Sequence, residues 1–451
     1  MKHPIEDATS KAMSWPYFPE LLERPVPRYT SFPTAAEFTS DVGAADLGER
    51  LAATSGDVSL YVHIPFCEAI CWYCGCNTGA ANRRERLASY LDALHREIAI
   101  TGQRLDGRVR IRRVAFGGGS PNAVSPTDFV RLVDAITLSA SLGDPVWSVE
   151  LDPRTLGAEW EPVLAAVGVQ RASMGVQTFA PHLQAAIGRV QPDAMIADGT
   201  ALLRRAGVSS INFDLMYGLP GQSQADLEAS LARTVELGAD RIALFGYAHV
   251  PHLIPRQKRI DAANLPGQDE RFAMAALGHD YLVARGYEAI GFDHFALPGD
   301  PMAVAVREGR LHRNFQGFTD DGAPVLVGLG ASAISQFPDL TVQNEKNAGR
   351  YRMLLSQDKL TGIVGVRRSA QDRELGAIIE GLLCHGRALI GAERAAAFAE
   401  ALAPFIARGL AVLGGDGALS MTPAGLPYAR TMAALFDPYR QDNLRRFSSA
   451  V

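Results

Sequence analysis

The chain has 451 residues, of which 47% are hydrophobic and 21% charged, a composition typical of one large folded domain or a few smaller ones. Its 44 lysines and arginines against 49 aspartates and glutamates give a net charge of −5, so no bulk positive field attracts nucleic acid. No apolar run reaches the roughly 18 residues of a membrane span, and the N-terminus lacks the basic-then-apolar order of a secretory signal. We therefore expect a cytoplasmic protein with neither nucleic-acid nor membrane partners.

Residues 1–57 are rich in proline and show no periodic apolar pattern, so we predict an irregular arm without a core of its own. From residue 58 onward, strand-like and helix-like segments alternate. The predicted strands are residues 58–64, 110–116, 147–151, 170–176, 211–217 and 241–247. The predicted helices are residues 83–102, 125–139, 192–206 and 224–237. Because the strands are continuous apolar runs followed mostly by helices, we predict a parallel sheet that is buried on both faces.

This sheet is either an open doubly wound sheet or a complete or partial barrel, and composition does not choose between these folds. In all of them the functional residues lie at the carboxyl ends of the strands. The polar and reactive residues of this chain follow that rule. Cysteines come after the first predicted strand, glycines 117–119 after the second, Glu150 near the end of the third and Gln177 after the fourth. We therefore expect these segments to line one site.

The pattern changes after residue 267. We predict a helix over residues 268–285, a strand over 287–295 and a long irregular stretch over 296–335. The later predicted elements are helices over residues 374–384, 392–408 and 422–436, and a hairpin over 409–421. These alanine-rich helices indicate a separate C-terminal domain that is mainly helical. A winged-helix fold is one candidate for this domain.

Four of the five cysteines lie within ten residues, directly after the first predicted strand: Cys67, Cys71, Cys74 and Cys76. Thiolates are soft ligands that suit iron–sulfur clusters and zinc. Zinc sites usually pair two cysteine couples that are a dozen or more residues apart, whereas here the spacing is compressed into one loop. The spacing therefore favours a cluster bound by three thiolates, with one iron open to a chelating ligand, and leaves a four-thiolate zinc site as the alternative.

The segments around the cysteines carry a family resemblance. The run SLYVHIPFC at 59–67 and the loop CWYCGC at 71–76 resemble the radical S-adenosylmethionine (SAM) enzymes, and within them the oxygen-independent coproporphyrinogen III oxidases. Further segments match that family in order: PRYTSFPT at 27–34, GGGSP at 117–121, SMGVQ at 173–177, DLMYGLP at 214–220, DHFA at 293–296 and HRNFQG at 312–317. The resemblance therefore covers essentially the whole chain.

The resemblance implies a fold and a reaction. The fold is a partial (β/α)6 barrel of the radical SAM type over residues 58–335, with residues 1–57 as an N-terminal arm and possible lid, and residues 336–451 as the C-terminal helical domain. In the family, a [4Fe–4S] cluster reduces SAM to methionine and a 5′-deoxyadenosyl radical, which abstracts hydrogen from a substrate propionate. Loss of CO₂ and one electron then leaves a vinyl group. Two such steps convert coproporphyrinogen III into protoporphyrinogen IX in haem biosynthesis.

The resemblance also implies roles for particular residues. The cluster ligands are Cys67, Cys71 and Cys74, and Cys76 is a catalytic residue that is not a ligand. The family binds two SAM molecules side by side. Positions matching the cluster-bound one are Tyr61, Gly118, Glu150 and Ile334. Positions matching the second are Tyr73, Gly119, Ser120, Gln177, Arg189, Asp214 and Ala248, where Arg189 pairs with the methionyl carboxylate. Candidates for the substrate propionates are Arg28, His312 and Arg313.

The family further implies a monomer and an electron donor such as flavodoxin or ferredoxin. Three rival functions stay open at this point. One is a related haem-binding chaperone, although such relatives typically lack the Cys-x-Cys ending of the loop and the arm motif, which are both present here. Another is a paralogue that modifies porphyrins, such as a haem-degrading radical methyltransferase. The third is a zinc-binding structural protein.

Overall fold

The computed structural model describes residues 15–81 and 84–440. Parts of three predicted elements lie outside these residues, namely residues 1–14 of the arm, residue 83 at the start of a predicted helix, and residues 441–451 of the C-terminal domain. Among the described helices, none combines the length and the apolar content that crossing a bilayer requires.

Strands and helices alternate along most of the described chain. The strands, in chain order, are β1 (Gly56–Ile64), β2 (Phe66–Cys67), β3 (Gly79–Ala80), β4 (Val109–Gly118), β5 (Leu142–Leu151), β6 (Val169–Gln177), β7 (Ser210–Tyr217), β8 (Arg241–Gly246), β9 (Glu288–Ile290), β10 (His294–Ala296), β11 (His312–Asn314), β12 (Gly317–Thr319), β13 (Val325–Leu329), β14 (Ile334–Phe337), β15 (Leu340–Asn344), β16 (Gly362–Arg367), β17 (Arg387–Leu389), β18 (Ala411–Leu413) and β19 (Ala418–Met421). The α-helices are α1 (Ala44–Ala53), α2 (Arg84–Leu105), α3 (Pro126–Ser139), α4 (Trp160–Val167), α5 (Pro181–Ala186), α6 (Asp193–Arg205), α7 (Gln224–Glu236), α8 (Gln268–Val283), α9 (Pro301–Arg307), α10 (Ala348–Leu355), α11 (Ala370–His385), α12 (Ala392–Ala397), α13 (Ala399–Ala407) and α14 (Ala429–Ala433).

The centre of the described molecule is a twelve-stranded sheet in the order β16-β15-β14-β13-β1-β4-β5-β6-β7-β8-β10-β9. The six predicted parallel strands are all present as β1 and β4 to β8, and each pairs in parallel with the next. The second edge of β1 pairs with β13 rather than with β8, so the sheet curves without closing into a full barrel. The predicted fold class, a partial barrel with parallel strands and crossover helices, is confirmed.

Local sequence explains the ends of the crossover helices. Ser125 is the N-cap of α3, and its side chain accepts a hydrogen bond from the Asp128 backbone amide at 3.1 Å. Gly168 ends α4 in the left-handed conformation, with φ of 72°, and its amide bonds back to the last turn. Because the crossover helices begin and end at defined residues, the connections between strands are short. Parallel strands joined in this way have their carboxyl ends together at one end of the barrel.

The predicted irregular stretch over residues 296–335 is wrong, because it contains α9, the β11–β12 hairpin and β13. All five residues of β13 are buried, and the strand is stabilised by parallel pairing with β1, more than 250 positions earlier in the chain. Local periodicity carries no signal for such a distant partner. The single strand predicted over 287–295 is in fact the antiparallel pair β9 and β10, which turns at Gly291 with φ of 60°.

The predicted domain boundary after residue 335 falls inside the main sheet. β14, β15 and β16 continue the sheet by antiparallel pairing, since β14 pairs with β13, β15 with β14 and β16 with β15. The helical part begins at Ala370 with α11. The hairpin predicted over 409–421 is present as β18 and β19. The helix predicted over 422–436 is divided into α14 and two 3₁₀ turns, with Pro427 inside the first turn.

The arm is more structured than predicted. It contains α1, whose Leu47 and Leu51 are buried and whose first turn is capped by the Asp46 carboxylate, a bond accepted from the Gly43 amide at 3.0 Å. The aromatic side chains of Trp15, Tyr29 and Phe32 in the arm are also buried. Trp15 lies 4.6 Å from the ring of His279 on α8, measured between ring centroids. The arm therefore has no separate core and shares the core of the rest of the molecule.

Two arginines, the buried Arg430 and the half-buried Arg313, bind the backbone of the arm. Arg430, on α14, donates to the carbonyl oxygens of Val26 and Pro27 at 2.7 and 3.3 Å. Arg313, on β11, donates to the carbonyl oxygens of Arg28 and Tyr29 at 2.9 and 3.1 Å. Hydrogen bonds from charged donors are stronger than neutral ones. The arm is therefore fastened between the barrel and the C-terminal helices.

Candidate functional site

The cysteine loop leaves β1 at the carboxyl end of the barrel. Its start is fixed by the short parallel pair β2 and β3, which places Cys67 opposite Ala80. The side chains of Cys67, Cys71, Cys74 and Cys76 line one cavity of about 190 Å³. Within the described ranges, no group of three or more His, Cys, Asp or Glu side chains is arranged to hold a single metal ion. A cluster places different demands on the loop, since each thiolate binds a different iron.

Hydrogen-bond donors surround the sulfur atoms. Thr78 donates its hydroxyl to Cys67 Sγ at 3.3 Å. Cys71 Sγ accepts from two guanidinium groups, those of Arg189 at 3.2 Å and Arg154 at 3.4 Å. Three thiols in one cavity with donors to their sulfurs fit an iron–sulfur cluster, whose reduction potential depends on such bonds. The residues Cys67, Cys71 and Cys74 would hold the cluster.

The glycines that follow β4 form one wall of the cavity. Gly118 has φ of 114°, and a Cβ atom there would lie 2.6 Å from the ring of His63. A Cβ atom at Gly119 would lie 2.5 Å from the carbonyl oxygen of Phe66. Both positions therefore require glycine, since a side chain would collide with His63 of β1 at Gly118 and with the backbone at the start of the cysteine loop at Gly119. The backbone that results is exposed to the cavity, where an amino acid moiety can reach it.

Two carboxyl groups inside the barrel line the same cavity. Burial raises the pKa of Glu150 to about 7, although the Gly118 amide donates to its carboxylate at 3.1 Å, and the charge of Asp214 adds to the rise. Burial likewise raises the pKa of Asp214, which accepts hydrogen bonds from Asn212 and Ser173 at 2.8 and 3.2 Å. Both carboxyls also line a second cavity of about 310 Å³ inside the barrel. They are therefore placed to bind polar groups between the two spaces.

Arg189 is buried, and its guanidinium already binds other groups of the protein. Its guanidinium donates to Cys71 Sγ, to the Gly175 carbonyl at 2.8 Å and to the Asp152 carboxylate at 3.2 Å. Although burial opposes the change, hydrogen bonds and charges from Arg154 and Arg189 lower the pKa of Asp152. The sequence analysis missed Asp152 and Arg154. The sequence contained a clue to both residues, because they follow Glu150 by two and four positions at the carboxyl end of the same predicted strand.

The remaining residues in this wall come from the loop and from β6. Tyr73 and Gln177 both line the 190 Å³ cavity, and Gln177 has φ of 67° at a register shift of β6. Ala248 does not line it. Ala248 is tied to the loop by Gln257, whose amide donates to the carbonyl oxygens of Ala248 and Tyr73 at 3.0 and 2.9 Å. Gln257 is another residue that the sequence analysis missed.

Besides Ala248, three predicted SAM residues lie outside the lining of this cavity. Tyr61 is buried on β1, with its hydroxyl 3.1 Å from His63 Nδ1 and its ring against Phe315. Ser120 is buried too, and its hydroxyl donates to Asn122 at 2.5 Å, away from the cavity. Ile334 lies on β14, two strands from Tyr61 in the sheet. The structure therefore brings together most of the predicted site residues: Cys67, Cys71, Cys74, Cys76, Tyr73, Gly118, Gly119, Glu150, Gln177, Arg189 and Asp214.

The three predicted substrate residues occupy different places. Arg28 lies at the carboxyl end of β8, where it donates to the Gly246 carbonyl at 3.3 Å and covers the ring of Phe245. Arg313 is half-buried and binds the arm backbone. His312 is exposed and lies 3.3 Å from Glu380 of α11, which raises the pKa of the histidine. None of the three predicted substrate residues lines either of the two described cavities.

Comparison with known proteins agrees with this geometry. The Radical SAM superfamily matches residues 61–233. An anaerobic coproporphyrinogen III oxidase of Cereibacter sphaeroides is 38% identical over 441 residues, which cover 94% of this chain and 96% of the relative. An oxygen-independent coproporphyrinogen III oxidase of Bradyrhizobium diazoefficiens is also 38% identical, over 95% of this chain and 98% of the relative. The solved structure of coproporphyrinogen III oxidase from Escherichia coli, a radical SAM enzyme, has 33% identity and a TM-score of 0.88, covering 94% of this chain and 100% of that one.

Proposed function

Because this chain belongs to the oxygen-independent coproporphyrinogen III oxidases of the radical SAM superfamily, we propose that it oxidatively decarboxylates two propionates of coproporphyrinogen III. The product is protoporphyrinogen IX, in which two propionates have become vinyl groups. The relatives match nearly the full length of the chain, from the arm to the C-terminal helices, so the proposal does not rest on the cysteine loop alone.

One structural observation carries the proposal. The cavity that holds the cysteines shares Glu150, Ser173 and Asp214 with the larger cavity inside the barrel. A radical formed beside the cysteines would therefore lie next to a space for a second reactant, without passing through bulk water. Such closeness is what a hydrogen abstraction between two bound molecules requires.

The residues of the chain have distinct tasks in this scheme. When bound, the cluster and SAM supply the radical that removes hydrogen from the propionate. Cys67, Cys71 and Cys74 would bind three irons, and Arg154 and Arg189 would donate to the Cys71 sulfur. Glu150, with a pKa near 7, exchanges hydrogen bonds with ribose hydroxyls in either protonation state. The arm excludes water at the open end of the barrel, so that the radical meets substrate before solvent.

We further propose that two SAM molecules bind per chain. The lining of the 190 Å³ cavity supports this number, because it contains Gly118 and Glu150, which match the first molecule, and Tyr73, Gln177 and Asp214, which match the second. The first SAM would contact the Tyr61, Gly118 and Glu150 side of the site. The second would lie along Tyr73, Gln177 and Asp214.

Equilibrium binding of SAM to the protein with a full cluster tests this number. The unaltered chain should bind two SAM, and Asp214→Asn should weaken one of them about 10-fold, because a charged hydrogen-bond acceptor is lost. The iron content should not change. Asp198→Asn, which alters an exposed carboxylate on α6, is the matched control and should behave as the unaltered chain. Saturation at a single SAM in fully loaded protein would remove the second site.

For the electron donor we propose an acidic protein such as flavodoxin or ferredoxin. A basic turn packs directly on the cysteine loop, since Arg256 donates to the Cys76 carbonyl at 3.2 Å and Gln257 to that of Tyr73. The neighbouring Lys258 and Arg259 are exposed. Positive charge beside the loop, on a chain of net charge −5, favours an acidic partner there. The monomeric state and the cytoplasmic location stay predictions.

Anaerobic turnover tests the proposed function. Protein with a reconstituted cluster is incubated with SAM, a reductant and coproporphyrinogen III, and the tetrapyrrole products and CO₂ are measured. The proposal requires protoporphyrinogen IX and two CO₂ per substrate molecule. Haem incubated in parallel should be bound no better than by a control protein and should stay intact, whereas a chaperone or a haem-degrading paralogue would bind or consume it.

A further inference from the structure

One arginine at the open end of the barrel has no partner. Arg271 lies in the first turns of α8. Within the described residues its side chain makes no hydrogen bond and no ion pair, whereas its backbone amide donates to the Gly267 carbonyl at 3.0 Å. Its Nε atom is buried without an acceptor. Placing a guanidinium in a partly buried position without compensation is costly, so such groups are usually paired. A bound anion would therefore stabilise the Arg271 guanidinium, since none of the described carboxylates pairs with it.

The neighbours of Arg271 point to the same place. A Cβ atom built on Gly246 would lie 3.0 Å from the Tyr217 hydroxyl and 3.3 Å from an Nη atom of Arg271. Arg28 also reaches this point, since it donates to the Gly246 carbonyl. The hydroxyl of Tyr217 makes no hydrogen bond in the part of the chain that the structure describes. Two guanidinium groups and one free hydroxyl therefore converge above the ends of β7 and β8.

The charge balance around this point is positive. The charged groups that act on the Tyr217 hydroxyl are Arg271, Arg28 and Arg430, with Asp293 as the one carboxylate. Asp293 is shared, because its Oδ1 lies 2.6 Å from His294 Nδ1 and its Oδ2 lies 4.0 Å from Arg28. Burial and the charge of Arg28 lower the pKa of Arg430 to about 9, as expected where cations crowd together.

Three other arginines in the barrel each have a carboxylate within 4.0 Å. Next to the larger cavity, Arg113 and Arg171 bind the Asp320 carboxylate at 3.0 and 2.7 Å. Arg241 lies 3.7 Å from Asp300, although its Nε atom makes no hydrogen bond in the part of the chain that the structure describes. Arg113, Arg171 and Arg241 are therefore paired with negative charge, which Arg271 is not. The cluster at Gly246 differs because its cations outnumber its carboxylate.

We propose that Arg28, Arg271 and Tyr217 form a carboxylate-binding site at the mouth of the barrel, which holds one propionate of the substrate. The proposal rests on the proposed function for the identity of the ligand. The site adjoins Phe245 and His294, which line the larger cavity, so a tetrapyrrole held there by one edge reaches toward Asp214 and Glu150. Arg28 comes from the arm, so docking of the arm completes the site.

The test is anaerobic equilibrium binding of coproporphyrinogen III to Arg271→Met, measured together with thermal stability. The dissociation constant should rise about 10- to 100-fold, the loss expected for a charge-assisted bond to a carboxylate. The melting temperature should stay the same or rise, because an unpaired cation is removed and no protein partner is lost. Arg271→Lys should restore part of the affinity. Arg131→Met, an exposed arginine on α3, is the matched control and should bind substrate normally.

The smaller variant Tyr217→Phe removes one hydroxyl and should weaken binding several-fold without loss of stability. If the unaltered chain binds and Arg271→Met binds equally well, the site is overturned while the proposed function stands. If Arg271→Met lowers the melting temperature and Arg271→Lys restores it, the residue is structural and the site is overturned as well. If the unaltered chain does not bind coproporphyrinogen III at all, the proposed function fails, and this site fails with it.

Discussion

Replacement of Cys71 with alanine is expected to abolish the brown chromophore, the bound iron–sulfur cluster and all reductive cleavage of SAM. Cys71 lies at the centre of the loop, and its sulfur accepts from both Arg154 and Arg189. Removing the Cys71 sulfur leaves only two of the three proposed ligand thiolates. Arg154 and Arg189 also lose the thiolate to which they donate hydrogen bonds. Two thiolates cannot hold three of four irons, so no substoichiometric activity is expected. Cys67→Ala and Cys74→Ala should give the same result.

Two other cysteines serve as controls for this experiment. Cys76→Ala should keep the cluster but lose turnover, since Cys76 lines the cavity without being a proposed ligand. Cys384→Ala should keep both, because Cys384 is buried in a separate cluster of apolar residues. Iron and sulfide are measured alongside SAM cleavage. A Cys71→Ala protein that still holds four irons would contradict the ligand assignment, and zinc in the unaltered protein in place of iron would favour the structural alternative.

Removal of residues 1–35 is expected to separate SAM cleavage from decarboxylation. The deleted segment carries Arg28, and its carbonyls are held by Arg313 and Arg430. Without it the carboxyl end of the barrel opens to water, and one guanidinium of the proposed propionate site is lost. The cluster loop lies outside the deletion, so 5′-deoxyadenosine should still form. Vinyl product should fall by at least about 10-fold, as expected when substrate positioning and exclusion of water are lost.

The measurement is the ratio of 5′-deoxyadenosine to CO₂, which should rise sharply in the truncated protein. Deletion also exposes apolar surface that Val26 and Tyr29 now cover, so a second variant is needed. Arg430→Met keeps the whole arm but removes the donors to Val26 and Pro27, and should shift the ratio in the same direction. A truncated protein with the ratio and rate of the full chain would refute the lid and remove Arg28 from the site.

The central strands of the barrel were predictable because each is a continuous apolar run. β1 illustrates this, since seven consecutive residues from Val58 to Ile64 are buried on a strand that pairs on both sides. β13 is equally buried, yet the prediction missed it. Its five residues follow a polar loop, and its partner is β1, so only the folded sheet identifies it as a central strand. The domain boundary was misplaced for the same reason, because β14 to β16 extend from β13.

Within the site, the sequence identified the cysteines and glycines but not the residues that form hydrogen bonds and ion pairs around them. The cysteines and glycines were found because only these residues suit thiolate ligation and close backbone contact. Asp152 was missed, since a lone aspartate after a strand resembles a loop cap until Arg154 and Arg189 are seen to bind it. Arg271 was missed because its significance is the lack of a partner, and a missing partner is visible only once the surrounding residues are in place.

The most direct test of the central claim follows the abstracted hydrogen. Coproporphyrinogen III deuterated at the propionate methylene groups is incubated anaerobically with the reconstituted protein, SAM and a reductant, and 5′-deoxyadenosine is analysed by mass spectrometry. The proposed function predicts one deuterium in the 5′-deoxyadenosine formed for each CO₂ released, together with divinyl product. Divinyl product accompanied by unlabelled 5′-deoxyadenosine, or 5′-deoxyadenosine without any vinyl product from the full-length chain, would contradict it.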